Sequence, residues 1–276
     1  MAGETKTNAY LLGNATLMIA PFGSVDPFIM DPDTYSLGMV KNVTLGVEAD
    51  TVELRHGIQQ NLVDSHRSNV RTTVSAEVYE YTAQNLFRGL SVNKTAVAPK
   101  RGTLTAAATG SATTITISSD PLPGQSDTGI TAVGDIPVGS TVLLQRKGKE
   151  DYVFPVRVTA TTTVSTNVYT VTVAIPVGVS FAIGDTVWVV NEVPVGSLEE
   201  GDFFQVKAVG TLSNYRKPMA LILPKVKIRS GFTINFSETD YGNMPFQFDP
   251  FFLDQSEVSG RLSEIGTSRM GHLYAV

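Results

Sequence analysis

The side chains that could do chemistry in this chain are few and poorly spaced for it. Three histidines, His56, His66 and His272, offer imidazoles for proton transfer or metal binding. None stands in an HExxH pattern or another metal-ligand spacing, and His56 and His66 share one polar stretch where they read as solvated loop residues. No Gly-x-Ser-x-Gly elbow presents a serine nucleophile. Arg146-Lys-Gly-Lys-Glu150 is too short to cradle a phosphate as a Walker A loop does and lacks its Ser/Thr, so it reads as a charged hairpin turn. Asp31-Pro-Asp33 and Glu199-Glu200-Gly-Asp202 gather carboxylates, but their flanks lack the ligand ladder of an EF-hand loop, and both read as structural turns. Trp188 is the only tryptophan. It reads as packing in a β domain ahead of a carbohydrate platform, and Tyr79 and Tyr81 read as packing ahead of a base-stacking surface. With no cysteine there is no disulfide, thiolate metal site or cysteine nucleophile. These residues point to no catalytic group, no cofactor and no metal.

The elements that would have to position such groups are almost all strands. Tyr10 to Ala20 is apolar and interrupted at Gly13-Asn14, a strand with a bend. Val43, Leu45 and Val47 alternate with Asn42, Thr44 and Glu48. The phase slips near Ala49-Asp50, because Val52 and Leu54 fall on even positions; a bulge there accounts for it, since one extra residue exchanges the faces. His56 to Ser68 is polar and reads as a long hairpin tip. From Val70 to Tyr81 one face carries Val70, Val74, Ala76 and Val78, and the other carries Asn69, Arg71, Thr73, Ser75 and Glu77, so one side packs on a core and the other meets water. Thr82 is placed to cap a short helix over Ala83 to Leu90, with Leu86 and Leu90 at i, i+4.

Residues 101–200 break this pattern. Thr114-Ile-Thr-Ile117 followed by Val138 to Leu144 is echoed by Thr170-Val-Thr-Val173 followed by Ile183 to Val189. Each copy pairs an alternating strand with a Gly-led turn into a second apolar strand. With a strand at Tyr152–Thr159 they make a small barrel or sandwich of five or six strands. Long strands then resume at Phe203, at Pro218–Pro224 between two prolines, over Lys225–Phe236 and over Met244–Phe251. The expected organisation is a discontinuous core, 1–100 with 201–255, an inserted β domain at 101–200 and a C-terminal arm at 256–276. The fold class is all-β, with long hairpins and one short helix.

Composition fits an assembling β protein. Hydrophobic residues at 42% are ample for a core, and charged residues at 17% are fewer than usual, as suits a surface covered by neighbours. A net charge of −5 gives no global attraction to nucleic acid. The insert holds 9 acidic and 5 basic residues and the rest 17 and 16, so the core is nearly neutral. The N-terminus lacks a basic segment leading into an apolar run, and no apolar run reaches the ~18 residues that span a bilayer, so neither a signal peptide nor membrane insertion is expected.

The order of elements resembles that of bacteriophage tail tube proteins (major tail proteins). The resemblance rests on the hairpin containing Val74-Ser-Ala-Glu-Val-Tyr-Glu80 running directly into Thr82-Ala-Gln-Asn-Leu-Phe87. It continues in Leu221-Ile-Leu-Pro-Lys-Val-Lys-Ile228, a Phe/Thr/Asn strand, and Asp240-Tyr-Gly-Asn-Met-Pro-Phe-Gln-Phe248. It covers 1–100 and 201–255; the insert departs from the minimal tube fold. The resemblance implies a virion protein, made in the host cytoplasm, that polymerises as stacked hexameric rings. Each subunit would lend two hairpins to one inner barrel, the conduit for DNA ejection. It implies the subunit itself, tail terminator and baseplate or tip proteins as partners, with tape measure protein and genomic DNA passing through the lumen without specific binding. Glu48, Asn69, Arg71, Thr73, Ser75 and Glu77 become candidates for the lumen wall, where Arg71 needs an acid such as Glu48 or Glu77 to offset it. His56, Gln59, Gln60, Asp64, His66 and Arg67 become candidates for a ring-stacking loop ordered on assembly. A hundred-residue insert on the outside leaves little room for a contractile sheath, so a long non-contractile tail is expected. Two other readings stand beside this one: another self-assembling β protein, such as a capsid decoration subunit or secretion-system tube, and a surface- or carbohydrate-binding β module.

Overall fold

The computed structural model describes residues 15–56, 61–125, 128–149, 151–174, 177–195, 201–212, 217–229 and 244–275. The fold is all-β, in two compact units, Met1–Lys94 with Val195–Val276 and Thr95–Pro194. The first half of the discontinuous unit holds β1 (Ala15–Pro21), a one-turn helix α1 (Pro32–Tyr35), β2 (Val40–His56), β3 (Asn61–Val78) and helix α2 (Ala83–Gly89). The other unit holds β4 (Lys100–Leu104), β5 (Thr114–Ser119), β6 (Thr141–Gln145), β7 (Val153–Ser165), β8 (Val168–Val173) and β9 (Thr186–Val190). The discontinuous unit then finishes with β10 (Phe204–Leu212), β11 (Lys217–Ile228), β12 (Met244–Pro250) and β13 (His272–Ala275).

The strands of the discontinuous unit form one antiparallel sheet in the order β1-β10-β11-β12-β3-β2, curled into a half-barrel. Its core is the concave face: Leu17 and Ile19 from β1, Val74, Ala76 and Val78 from β3, Phe204 and Val206 from β10, and Phe246 and Phe248 from β12 are all nearly inaccessible. Helix α2 starts where Thr82 Oγ1 accepts the Asn85 N–H at 3.1 Å. The buried Asn85 amide donates to the Leu37 and Glu80 carbonyls, both at 3.0 Å, and so ties the helix to the segments that enter β2 and leave β3. The chain leaves and re-enters this unit at one place: Asp202 N–H donates to the Ser91 carbonyl and its carboxylate accepts the Asn93 N–H.

Three strands run differently from the reading of their residues. The β2–β3 ladder extends to His56 opposite Asn61, so Asp64, His66 and Arg67 are strand residues and not part of a loop. Backbone pairing carries on through polar side chains because the ladder does not depend on them. β11 is continuous through Pro224, where the reading stopped. Between Phe204↔Val226 and Val206↔Leu223 the register gains one residue on β11, and the proline sits in that bulge, where no ladder donor is required of it. Finally, the C-terminal residues are not a free arm. β13 pairs with β11 from Met219↔Ala275 to Ile222↔His272, and Ile265 and Leu253 are buried against Ile222. A Cβ on Gly271 would lie 2.4 Å from the Ile222 carbonyl oxygen, so this close docking requires glycine.

In the other unit β4-β5-β8-β7-β6-β9 close into a barrel. The repeated pairs are β5 with β6 and β8 with β9, and their inward residues Ile115, Ile117, Val142, Leu144, Val171 and Val187 fill the interior. The charged turn is as read: Arg146 N–H donates to the Tyr152 carbonyl and Lys149 N–H to the Arg146 carbonyl. Trp188 stands between buried Val187 and Val189 and so packs on the outer wall, its indole N–H on Gln145 Oε1 and Arg101 over its ring.

Lys225 is a buried cation, 7% exposed. Its ammonium donates to Glu257 at 2.8 and 2.9 Å and lies 4.7 Å from the Phe203 ring centre. Burial alone would lower its pKa, but the hydrogen bonds and charges of Glu257 and Asp254 outweigh this and raise it above the ordinary 10.5. A raised folded-state pKa gives stability that is complete below pH 10.5 and lost as pH rises through the folded value. Lys225→Met therefore costs about 2 kcal/mol at neutral pH in denaturant unfolding, and the gap between variant and wild type narrows above that pH.

Candidate functional site

The hydrophilic face of the β2–β3 hairpin continues across the sheet as its convex surface. The β2–β3 register sets Glu48 opposite Arg71, Gly46 opposite Thr73, Thr44 opposite Ser75 and Asp50 opposite Asn69. The face goes on through Gln247, opposite Ser75, and Asp249, opposite Lys227 of β11. Since Phe246, Phe248, Val226 and Ile228 on the alternate positions are buried, the polar residues between them point outward.

The charges on this face balance in number, and Arg229 and Asp249 are in direct contact. Arg71 stands across the ladder from Glu48. Arg229 Nε lies 2.8 Å from Asp249 Oδ2. Glu77 Oε2 accepts from Asn42 Nδ2 at 3.0 Å and from the Tyr79 hydroxyl at 3.1 Å, while the Lys41 ammonium sits 4.7 Å from the Tyr79 ring centre. Thr44 and Ser75 hydroxyls are 2.6 Å apart. Lys41, Arg71, Lys227 and Arg229 against Glu48, Asp50, Glu77 and Asp249 leave the face without net charge. Such a surface is wet but holds neither sign of polyelectrolyte strongly. Gln247, Lys227, Arg229 and Asp249 were not among the candidates read from the sequence. The alternation over Val226–Ile228 was the available signal, but assigning it to this face needs the β12–β3 pairing.

The candidates fall as follows. Glu48, Arg71, Thr73, Ser75 and Glu77 lie together on this face; the backbone of Asn69 joins them opposite Asp50, and its side chain lies outside the described residues. Of the stacking candidates, Gln59 and Gln60 lie outside the described residues, as does the side chain of His56. Asp64 and His66 are exposed on β3, their Oδ2 and Nε2 atoms 2.7 Å apart, and Arg67 is exposed opposite Thr51. His272 is on β13, between Arg269 and the Tyr274 hydroxyl. Asp31 caps α1 through Thr34 N–H, a bond that lowers its pKa. Among the described residues no three His, Cys, Asp or Glu side chains converge as a metal cluster would, and no helix is long and apolar enough to cross a membrane.

The hairpin is bent at three irregularities. The first puts its extra residue in β2, with Asn42 at φ 52°. The second falls between Asp50 and Thr51, where the apolar phase slips, but its extra residue is Ser68 on β3. The third, between Leu54 and Arg55, again enlarges β3. Side-chain burial fades along the same direction: Val78 and Val74 are fully buried, Val70 is 39% exposed and Val47 64%.

No protein-family model matches the chain, and none of the curated proteins is similar to it.

Asn42 holds a left-handed backbone that alanine adopts at a cost of about 1–2 kcal/mol; Asn42→Ala and Asn42→Gly both lose the exposed bond to Glu77, so the backbone separates them. Asn42→Gly keeps that backbone accessible. Denaturation midpoints are expected to place Asn42→Gly within about 0.5 kcal/mol of wild type and Asn42→Ala at least about 1 kcal/mol below it.

Proposed function

We propose that this protein is a structural subunit that polymerises through its open sheet into stacked rings and forms the tube of a bacteriophage tail. The observation that carries the reading is the combination of a charge-matched hydrophilic face with a hairpin that has unpaired edges. Among the described residues, β2 has no partner along its outer edge, and β3 has none beyond Val74 where β12 ends. Open edges of this length pair with another chain unless something blocks them. A closed ring of identical copies removes them all together and turns the polar face into the wall of a channel.

In such a tube the charge-balanced face lets DNA pass without being held: Arg229 is paired with Asp249, and Arg71 stands across the ladder from Glu48. The protein's role is then mechanical and not catalytic. Its partners are its own copies, the terminator and tip proteins at the tube ends, and the tape measure protein and genome inside; its location is the virion tail. Hexameric closure follows from the resemblance alone.

Negative-stain electron microscopy of the purified protein at high concentration tests this. The expected result is hollow rings, singly or stacked into tubes. Compact trimers would support a capsid decoration role instead, and a monodisperse monomer at every concentration would overturn the assembly reading.

A further inference from the structure

The hairpin carries apolar side chains on opposite faces in its two halves. In the half nearer the core, Leu45 and Val47 look into the concave side of the half-barrel. There they line two adjoining cavities of about 310 and 460 Å³ that share Leu45, Leu221 and Leu273. This groove is open: Val47 is 64% exposed, Leu273 52% and Phe252 47%. In the far half the apolar residues of β2 are Val52 and Leu54, 61% and 60% exposed. The irregularity between the halves places its extra residue, Ser68, in β3, so β2 keeps strict alternation across it. Val52 and Leu54 therefore stand on the back of the strand whose front bears Leu45 and Val47. Beside them, directly across the ladder, are His66 and Asp64, a polar border to a small apolar knob.

One copy cannot bring knob and groove together, because the wall of the groove is the near half of the same hairpin and the knob projects from its reverse side. We propose that the Val52–Leu54 knob of one copy seats in the Leu45–Leu221–Leu273 groove of a second copy. The contact is heterologous: each molecule gives a knob and receives one, so it propagates head to tail and does not stop at a dimer. An apolar centre with the Asp64–His66 pair at its rim has the composition of a protein interface. This inference rests on the assembly reading above and limits the channel wall to the near half of the hairpin, because Val52 and Leu54 share the Glu48–Asp50 face of β2 and are covered by the neighbouring copy.

The absence of cysteine makes the test clean, since every disulfide would be an introduced one. Val52→Cys is placed in one preparation and Leu273→Cys in another, and the two are mixed under mild oxidation at assembling concentrations. The expected result is a cross-linked dimer in the mixture at least about tenfold above either preparation alone, and a ladder of multimers from the double variant. Val164→Cys, on the other unit and 61% exposed, sets the background. Dimers confined to the separate single-variant preparations would show a symmetric contact and overturn the proposal, as would cross-linking no greater than background. Electron microscopy of the same samples separates the two failures. Rings without the cross-link remove the knob-and-groove contact and leave the assembly reading standing; neither rings nor cross-link removes both. A second variant guards against misfolding: Leu54→Asp is expected to keep the wild-type melting temperature and lose assembly, and assembly at the wild-type level would contradict the contact.

Discussion

Everything in the discontinuous unit answers to one constraint: a backbone ladder must end somewhere, and this one ends badly. β2 is 17 residues long, and among the described residues one of its edges has no partner strand. Over its far half neither face is covered. Water satisfies the edge, so it costs the monomer little. The exposed valines and leucines forgo stabilisation on the order of 1 kcal/mol each. An antiparallel hairpin does not hold such a length for its own stability. Its near third, Val74 to Val78, completes the core with Phe246, Phe248 and Val206, and the rest adds little to that core.

The other unit shows the opposite solution with similar raw material. Its strands are shorter but also Thr/Val-rich and alternating, and β4 and β9 pair and close the ring. The inward positions of its strands are buried, and the most exposed of its described apolar residues, Val138, Val164 and Ile183, lie in turns or at a strand end; outward strand positions include threonines, Arg101 and a tryptophan with that arginine over its ring. The contrast within one chain argues that the open sheet is not a general consequence of β-rich composition. The two units differ in whether the strands can complete themselves.

Local chemistry was readable where a single residue decides it. Thr82 announces α2 because a hydroxyl at that point satisfies a helix N–H, and the alternation from Val70 to Val78 announces a two-faced strand because side chains point alternately. The slip between Val47 and Val52 announces an irregularity, and one exists at that level of the ladder. That the extra residue belongs to β3 could not be read from β2, since a bulge is a property of the pair. Pro224 looked like an end because proline cannot donate; only the neighbouring strand shows that no donor is required there. Asp64, His66 and Arg67 looked like a loop because polarity hides a ladder that is made by the backbone. β13 was lost in a polar tail because its docking depends on Gly271 and on Ile222, residues nearly fifty apart. The matched charges on the convex face were half visible: Glu48 and Arg71 come from one hairpin, whereas Asp249 and Arg229 join them through β12.

The central claim is that β2 finds its missing partner in another copy of the chain. Amide hydrogen exchange along β2, measured from dilute monomer to concentrated protein, tests it most directly. The account predicts that the outward-directed amides between Val40 and His56 exchange fast when dilute and become protected by a hundredfold or more on concentration, while those of β5 and β8 in the closed barrel do not change. Fast exchange along β2 at every concentration would contradict it, as would full protection already present in the isolated monomer.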